Sequence, residues 1–140
     1  TFMRRIFVDT NIIVDLIADR KPFSKYAVEI FKQSESKKLK LYTSSHAIAT
    51  SHYLLKKYVE EKELRVLLDQ LLIYVNVIAI DDEIIRKSLK SKHKDFEDSL
   101  QIVAANSIDK MECIVTRNLK DFKNAEITVL SPDELVETFN

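Results

Sequence analysis

Short runs of β-branched and aromatic residues alternate with amphipathic stretches along the whole chain, and that alternation leaves few folds open. The first run, Arg5-Ile6-Phe7-Val8, ends abruptly in Asp9-Thr10-Asn11, after which Ile12, Ile13, Leu16 and Ile17 recur at helical spacing. A polar turn at 19–23 precedes an amphipathic helix over 24–35, with Tyr26, Ala27, Ile30 and Phe31 on one face. A second strand is expected at 39–43. Ser44 or Ser45 then caps a helix running to about residue 58, with Ile48, Tyr53, Leu54 and Leu55 inward, and another helix spans 61–72. Residues 75–80 read as a third strand, and Asp81-Asp82-Glu83 puts negative charge at the start of the helix that follows. A helix over 96–110, strands at 113–116 and 127–130, and a closing helix opened by Ser131-Pro132-Asp133-Glu134 complete the series. Strands alternating with helices imply a parallel five-stranded sheet covered on both faces, a three-layer α/β/α sandwich.

A chain of 140 residues, 46% hydrophobic, is expected to form one domain over 1–140 and to bury roughly two thirds of its unfolded surface. The 22 Lys and Arg balance the 22 Asp and Glu, so no overall field draws a polyanion, and any nucleic-acid contact must come from local patches. Cys113 has no partner for an internal disulfide, and no apolar run approaches a membrane span of about 20 residues, so a cytoplasmic protein is expected. Thr1 and Phe2 precede a methionine and read as a remnant of expression. Glycine is absent altogether. Walker-type phosphate cradles and dinucleotide fingerprints need glycine so that backbone N–H groups can approach the phosphates, and both are therefore excluded.

In open α/β sheets the ligand crevice lies outside the carboxyl ends of the strands, so Asp9 is expected at its rim. Two other segments offer acids at equivalent positions: Asp95, Glu97 and Asp98 at the start of a helix, and Asp121 just beyond the fourth strand. Carboxylates about 5 Å apart repel by roughly 3 kcal/mol per ionised pair at an effective dielectric of 20, so such a cluster needs a proton or a cation. A hard divalent ion meets that need, and it can activate water against a phosphodiester with no nucleophilic side chain.

Phe7-Val8-Asp9-Thr10-Asn11, then Asp95-Phe96-Glu97-Asp98-Ser99-Leu100-Gln101, then Ile114-Val115-Thr116-Arg117-Asn118-Leu119-Lys120-Asp121-Phe122 together resemble the PIN-domain family, in the bacterial branch that includes toxin ribonucleases of type II toxin–antitoxin pairs. The resemblance runs over nearly the whole chain. It implies a PIN fold, endoribonuclease activity dependent on Mg2+ or Mn2+, a homodimer and a small antitoxin partner. Carried over by position, it makes Asp9, Asp98 and Asp121 the catalytic metal ligands, with Glu97 as a further one. Thr10, Asn11, Thr116, Arg117, Asn118 and Asp95 become supporting or substrate-binding residues. One departure is visible: active relatives usually carry another acid, commonly Glu, early in the helix after the second strand. Residues 41–59 contain no Asp or Glu, and alignment on Tyr53-Leu54-Leu55 puts Thr50 at that position.

Each of these residues also has a structural role open to it. Asp9 and Asp95 can cap helices, Asp98 can partner a helix dipole, and Asp121 can close a turn onto backbone. Asp15 is expected to face solvent or a nearby Lys or Arg. Arg117 is either a phosphate-facing guanidinium or the partner of a nearby acid. His46, His52 and His93 share no metal-ligand spacing, and His93, just before the acid cluster, is a surface histidine or an RNA contact. Arg86, Lys87, Lys90, Lys92 and Lys94 form either a track for an RNA backbone or a solvated helix face. Tyr42, Tyr53 and Tyr58 are read as core or interface. Two functional readings stand beside the ribonuclease: a degenerate PIN module that binds RNA or protein without cutting, and a receiver-like phosphoacceptor, which Asp9 followed by Thr-Asn fits poorly.

Overall fold

The computed structural model describes residues 3–139, and Thr1 and Phe2, read above as an expression remnant, lie outside the described residues. The strands are β1 (Arg4–Val8), β2 (Leu39–Ser44), β3 (Val75–Ile78), β4 (Met111–Val115) and β5 (Thr128–Leu130). Between them run α1 (Thr10–Ala18), α2 (Ser24–Glu35), α3 (Ser45–Leu55), α4 (Glu61–Leu71), α5 (Asp82–Lys90) and α6 (Phe96–Asn106); a 3-10 turn at Leu119–Phe122 follows β4, and α7 (Pro132–Glu137) closes the chain. All pairings are parallel and the strand order is β3-β2-β1-β4-β5. The expected α/β sandwich with a five-stranded parallel sheet is the fold observed. No helix among the described residues is long and apolar enough to cross a membrane.

Period-two alternation in a sheet buried on both sides explains the two core layers. Ile6, Val8, Cys113 and Val115 point into one, with Ile12, Ile13, Ile30, Leu41 and Leu64. Phe7 and Ile114 point into the other, against Leu100, Ile102, Ala104 and Phe122. From β1 the chain winds outward through β2 and β3, then returns to β4 on the opposite side of β1. The strand order therefore reverses between β1 and β4, and the crevice of such a sheet opens beyond the carboxyl ends of those two strands. Asp9 and Thr116 are the residues that follow them.

Side chains rather than glycine set the ends of the elements. Ser44, Asp81 and Ser131 cap α3, α5 and α7 by accepting the N–H groups of Ala47, Ile84 and Glu134, and Glu134 completes a capping box with Pro132 in the first turn. Four non-glycine residues take the left-handed region: Asp19, Lys37, Lys110 and Glu126. Each such residue costs roughly 1 kcal/mol that glycine would not incur. Lys37→Gly and Glu126→Gly, whose backbones have φ of 62° and 59°, are each expected to raise stability by about 0.5 kcal/mol after the entropy that glycine adds to the unfolded chain, read as a rise in the urea midpoint at unchanged slope.

Two expectations about α3 are corrected. The helix ends at Leu55 rather than near residue 58, and Tyr53, expected inward, is 66% exposed, as Tyr58 is at 70%. The buried stripe is instead Ala47, Ser51 and Leu55, spaced by four. Small side chains on that stripe let α3 lie close against α1, so the bulky tyrosine turns outward. Tyr42, by contrast, is in the core. Helix α6 stops at Asn106 rather than running to residue 110, because a tight turn ending in left-handed Lys110 leads directly into β4.

Candidate active site

Asp9 leaves β1 with its backbone N–H bonded to the Val115 carbonyl of β4 at 3.0 Å, which fixes it over the crevice. Its side chain is 7% exposed and surrounded by donors. Oδ1 accepts from the Thr10 backbone N–H at 2.8 Å and from Gln101 Nε2 at 3.3 Å. Oδ2 accepts from Thr116 Oγ1 at 2.8 Å and from Asn11 Nδ2 at 3.4 Å. Burial pushes the Asp9 carboxyl above its ordinary value, opposed by the bonds from Thr116, Thr10 and Gln101, while the charge of Asp121 pushes it further up. The capping role is thus real, but it accounts for one bond of several.

A polar network ties this carboxylate to four elements. Gln101 on α6 accepts a short hydrogen bond from Ser44 Oγ at the end of β2, and the same Ser44 oxygen caps α3. Thr116 Oγ1 accepts from Asn11 Nδ2 at 3.2 Å and from the Asn118 N–H at 3.0 Å, and Asn11 Oδ1 accepts the Arg117 N–H at 3.3 Å. Sequence reasoning gave Gln101 and Ser44 no role in the site. The signal for Gln101 was its position three residues after Asp98, which puts both on one face of α6.

Asp98 lies in the first turn of α6, where the N-cap Asp95 accepts its backbone N–H at 2.9 Å. Partial burial, followed by the charges of Asp95, Asp121, Asp9 and Glu97, raises the Asp98 carboxyl to about 7. Asp121 sits in the 3-10 turn after β4 and adds to the field at both Asp9 and Asp98. The fold therefore brings acids from three distant segments into one negative region. Glu97 is 69% exposed, with Oε1 3.5 Å from His46 Nε2. The Thr50 hydroxyl lies 3.5 Å from the same His46 nitrogen.

For Asp15 and Arg117 the sequence left two partners open each, and the structure decides between them. Asp15 is not at the surface: it is 1% exposed and receives a two-pronged bond from Arg117, at 2.7 Å from Nε and 3.0 Å from Nη2, with Arg20 at 3.8 Å. The Arg117 guanidinium, which also stacks on the Phe23 ring at 4.0 Å, is occupied in this way rather than facing a phosphate. A buried carboxylate cannot stay ionised alone, and Arg117 is the cation positioned to satisfy it.

The donor chemistry of the carboxylate region fits a hard divalent cation: oxygen ligands, mutually repelling and open to solvent on the Asp98 and Asp121 side. Among the described residues no three His, Cys, Asp or Glu side chains stand ready to enclose an ion. Carboxylates would thus supply part of a coordination shell and water the rest. Without a cation, the raised Asp98 group carries its own pH signature. Its folded value of about 7 exceeds the ordinary 3.8, so its contribution to stability is fully present below about 4 and lost as pH rises through 7. In chelator, Asp98→Asn is expected to melt above the native protein at pH 8 and to lose that advantage by pH 5. The gap is about 1 kcal/mol after solvent screening, or about 3 °C in a thermal melt.

The PIN domain family model matches residues 5–120 of the chain. Ribonuclease VapC1 of Aquifex aeolicus is 32% identical over 142 residues, spanning 97% of this chain and 96% of that protein. A toxin–antitoxin complex from Klebsiella pneumoniae contains a chain 26% identical to this one, with a TM-score of 0.66 and coverage of 91% and 97%. VapBC2 from Rickettsia felis, bound to a promoter DNA fragment, superimposes with a TM-score of 0.64 at 20% identity, covering 91% of this chain and 98% of its own, a likeness of fold.

Proposed function

The chain belongs to the PIN-domain family, and on that premise we propose that it is an endoribonuclease, the toxin half of a toxin–antitoxin pair, hydrolysing RNA phosphodiester bonds with Mg2+ or Mn2+. The observation that carries this reading is the electrostatic convergence of Asp9, Asp98 and Asp121 at the carboxyl rim of β1 and β4. The whole chain acts as one PIN domain, and its setting is the cytoplasm. Asp9, Asp98 and Asp121 would hold the ion, with Glu97 as a further carboxylate beside them. When bound, a divalent cation makes water nucleophilic at neutral pH and offsets the charge that develops on the phosphate.

The residues around that centre have defined tasks. Thr116, Gln101 and the Thr10 N–H fix both Asp9 oxygens, so the carboxylate is held in one orientation before substrate arrives. Asn11 and Asn118 steady Thr116, and Asp95 sets the first turn of α6 and hence the place of Asp98. Thr116→Val deletes the hydroxyl donor to Asp9 and the acceptor of the Asn118 N–H. It is expected to lower kcat about 10- to 100-fold, measured on a labelled RNA at saturating manganese.

Two partners belong to this reading. A small antitoxin is proposed as the protein partner; an apolar recess of about 380 Å³ between α1, α2 and α4, lined by Leu16, Ile17, Val28, Phe31, Leu67 and Leu71, supports a helical or extended segment docking there. A homodimer is proposed as well, and exposed Tyr53, Val66 and Leu89 provide apolar surface for association.

The deciding experiment incubates the purified protein with end-labelled single-stranded and hairpin RNAs in magnesium, in manganese and in chelator. Cleavage restricted to the two metal conditions is the expected result. The second reading, a module that binds RNA or a protein without cutting, draws on the neutral Thr50 hydroxyl and the acid-free residues 41–59. Absence of cleavage in every RNA, with no heat of manganese binding at millimolar concentration, would establish that reading instead.

A further inference from the structure

Beside the carboxylates lies a cleft of about 480 Å³ with basic walls. Lys92 and Lys94, from the segment between α5 and α6, and Lys120 and Lys123, from the 3-10 turn and the residue after it, line it with His93. Asp95, Asp98 and Asp121 line the same cleft. None of these four lysines makes an ion pair among the described residues, although carboxylates share the cleft with them. Arg86 and Lys87, which the sequence offered for the same track, are bound instead to Asp82 and Glu83 one turn back on α5, at 2.9 Å each.

Resting on the ribonuclease reading, we propose that this cleft seats the RNA strand, with Lys92 and Lys94 holding phosphates on one side of the scissile bond and Lys120 and Lys123 holding phosphates on the other. A chain of zero formal net charge gives a polyanion no general attraction, so approach to an acidic centre must be driven by cations close by. Lysines closing onto the aspartates as ion pairs would quench both charges. Left unpaired on two separate segments, they offset the repulsion between the carboxylates and a passing phosphate backbone while the acids stay available. His93 is the one aromatic ring among its lining residues, so stacking is limited to a single base and the phosphates supply most of the contact. The ligand class is therefore the single-stranded phosphodiester backbone, held chiefly through its phosphates.

The test measures fluorescence anisotropy of a 5′-fluorescein 12-nucleotide oligouridylate against the full chain in chelator, over 50–300 mM KCl. The variant Lys92→Gln/Lys94→Gln/Lys120→Gln/Lys123→Gln is compared with Lys37→Gln/Lys38→Gln/Lys56→Gln/Lys57→Gln. The second set removes the same charge at the opposite pole, before β2 and after the end of α3. The cleft variant is expected to bind about 30-fold more weakly, with its salt slope reduced by 2 to 3, at about 0.7 per single-strand phosphate contact; the control set is expected to change affinity less than about 3-fold. If the quadruple variant unfolds by circular dichroism, the Lys92→Gln/Lys94→Gln and Lys120→Gln/Lys123→Gln pairs decide, each expected at an intermediate loss. Equal weakening by both sets, no weakening by the cleft set, or no RNA binding by the native chain overturns the cleft. So does a fluorescein-labelled decaglutamate that binds the native chain as tightly as the RNA, because the seat would then belong to an acidic protein segment. Metal-dependent cleavage with binding unaffected by the cleft set removes this inference and leaves the ribonuclease. Cleft-dependent binding without cleavage in magnesium or manganese removes the ribonuclease and leaves the cleft.

Discussion

Asp9→Asn is expected to abolish metal-dependent RNA cleavage, lowering kcat by about 1,000-fold or more, while the protein stays folded. About 4 kcal/mol or more of transition-state stabilisation corresponds to a factor of this size, which is what loss of a charged ligand and of its fixed orientation would remove. The fold survives for a local reason. Asparagine keeps one carbonyl oxygen for the Thr10 N–H and Gln101, and its amide can donate to Thr116 Oγ1 in the place that Asn11 Nδ2 gives up by turning away. Burial disfavours the ionised form of the native residue, so the neutral replacement is expected to match or slightly exceed the native melting temperature in chelator. Parallel assays of cleavage and melting check both halves. Cleavage persisting near the native rate would remove Asp9 from the chemistry and the proposed mechanism with it.

Arg117→Ala is expected to cost about 3 to 5 kcal/mol, or on the order of 10 °C in melting temperature, an effect on stability far larger than any active-site substitution should have. The change deletes both bonds to Asp15 and the guanidinium stacked on Phe23, leaving a carboxylate 1% exposed with only the distant Arg20 as counter-charge. Arg117→Lys should recover little, because a single ammonium cannot reproduce the two-pronged geometry. The double variant Asp15→Leu/Arg117→Met should recover most of the loss, since two apolar side chains leave no charge stranded. Urea unfolding of the three variants separates these outcomes. A single variant as stable as the native protein would show that the pair is hydrated in solution rather than buried.

The contrast between these two residues shows where sequence reasoning reached its limit. Asp9 was legible because a strand that stops at an acid, followed at once by helical spacing, has only one place to put that acid in a parallel sheet. Arg117 sits beside the fourth strand's end and was open to either a phosphate or an acid. Only the packing of α1 against the end of β4 brings Asp15 within 2.7 Å and decides the matter. Gln101 was hidden for a related reason, since its link between Ser44 and Asp9 joins positions 57 and 92 residues away in the chain. Tyr53 was misplaced because periodicity ranks side chains by hydrophobicity, whereas the close approach of α1 and α3 selects for small ones, Ala47 and Ser51.

Local chemistry therefore determined the elements, their order, the parallel sheet and the identity of the acids at its rim, because strand alternation, helix spacing and capping act between residues a few positions apart. Tertiary structure decided which charges meet. It set Arg117 on Asp15, wove Asp9 into a net of neutral donors, and lined one cleft with lysines that make no ion pair among the described residues with the carboxylates beside them. Electrostatic energy depends on separation in space and on exclusion of water, and neither is written in the distance between two residues along the chain.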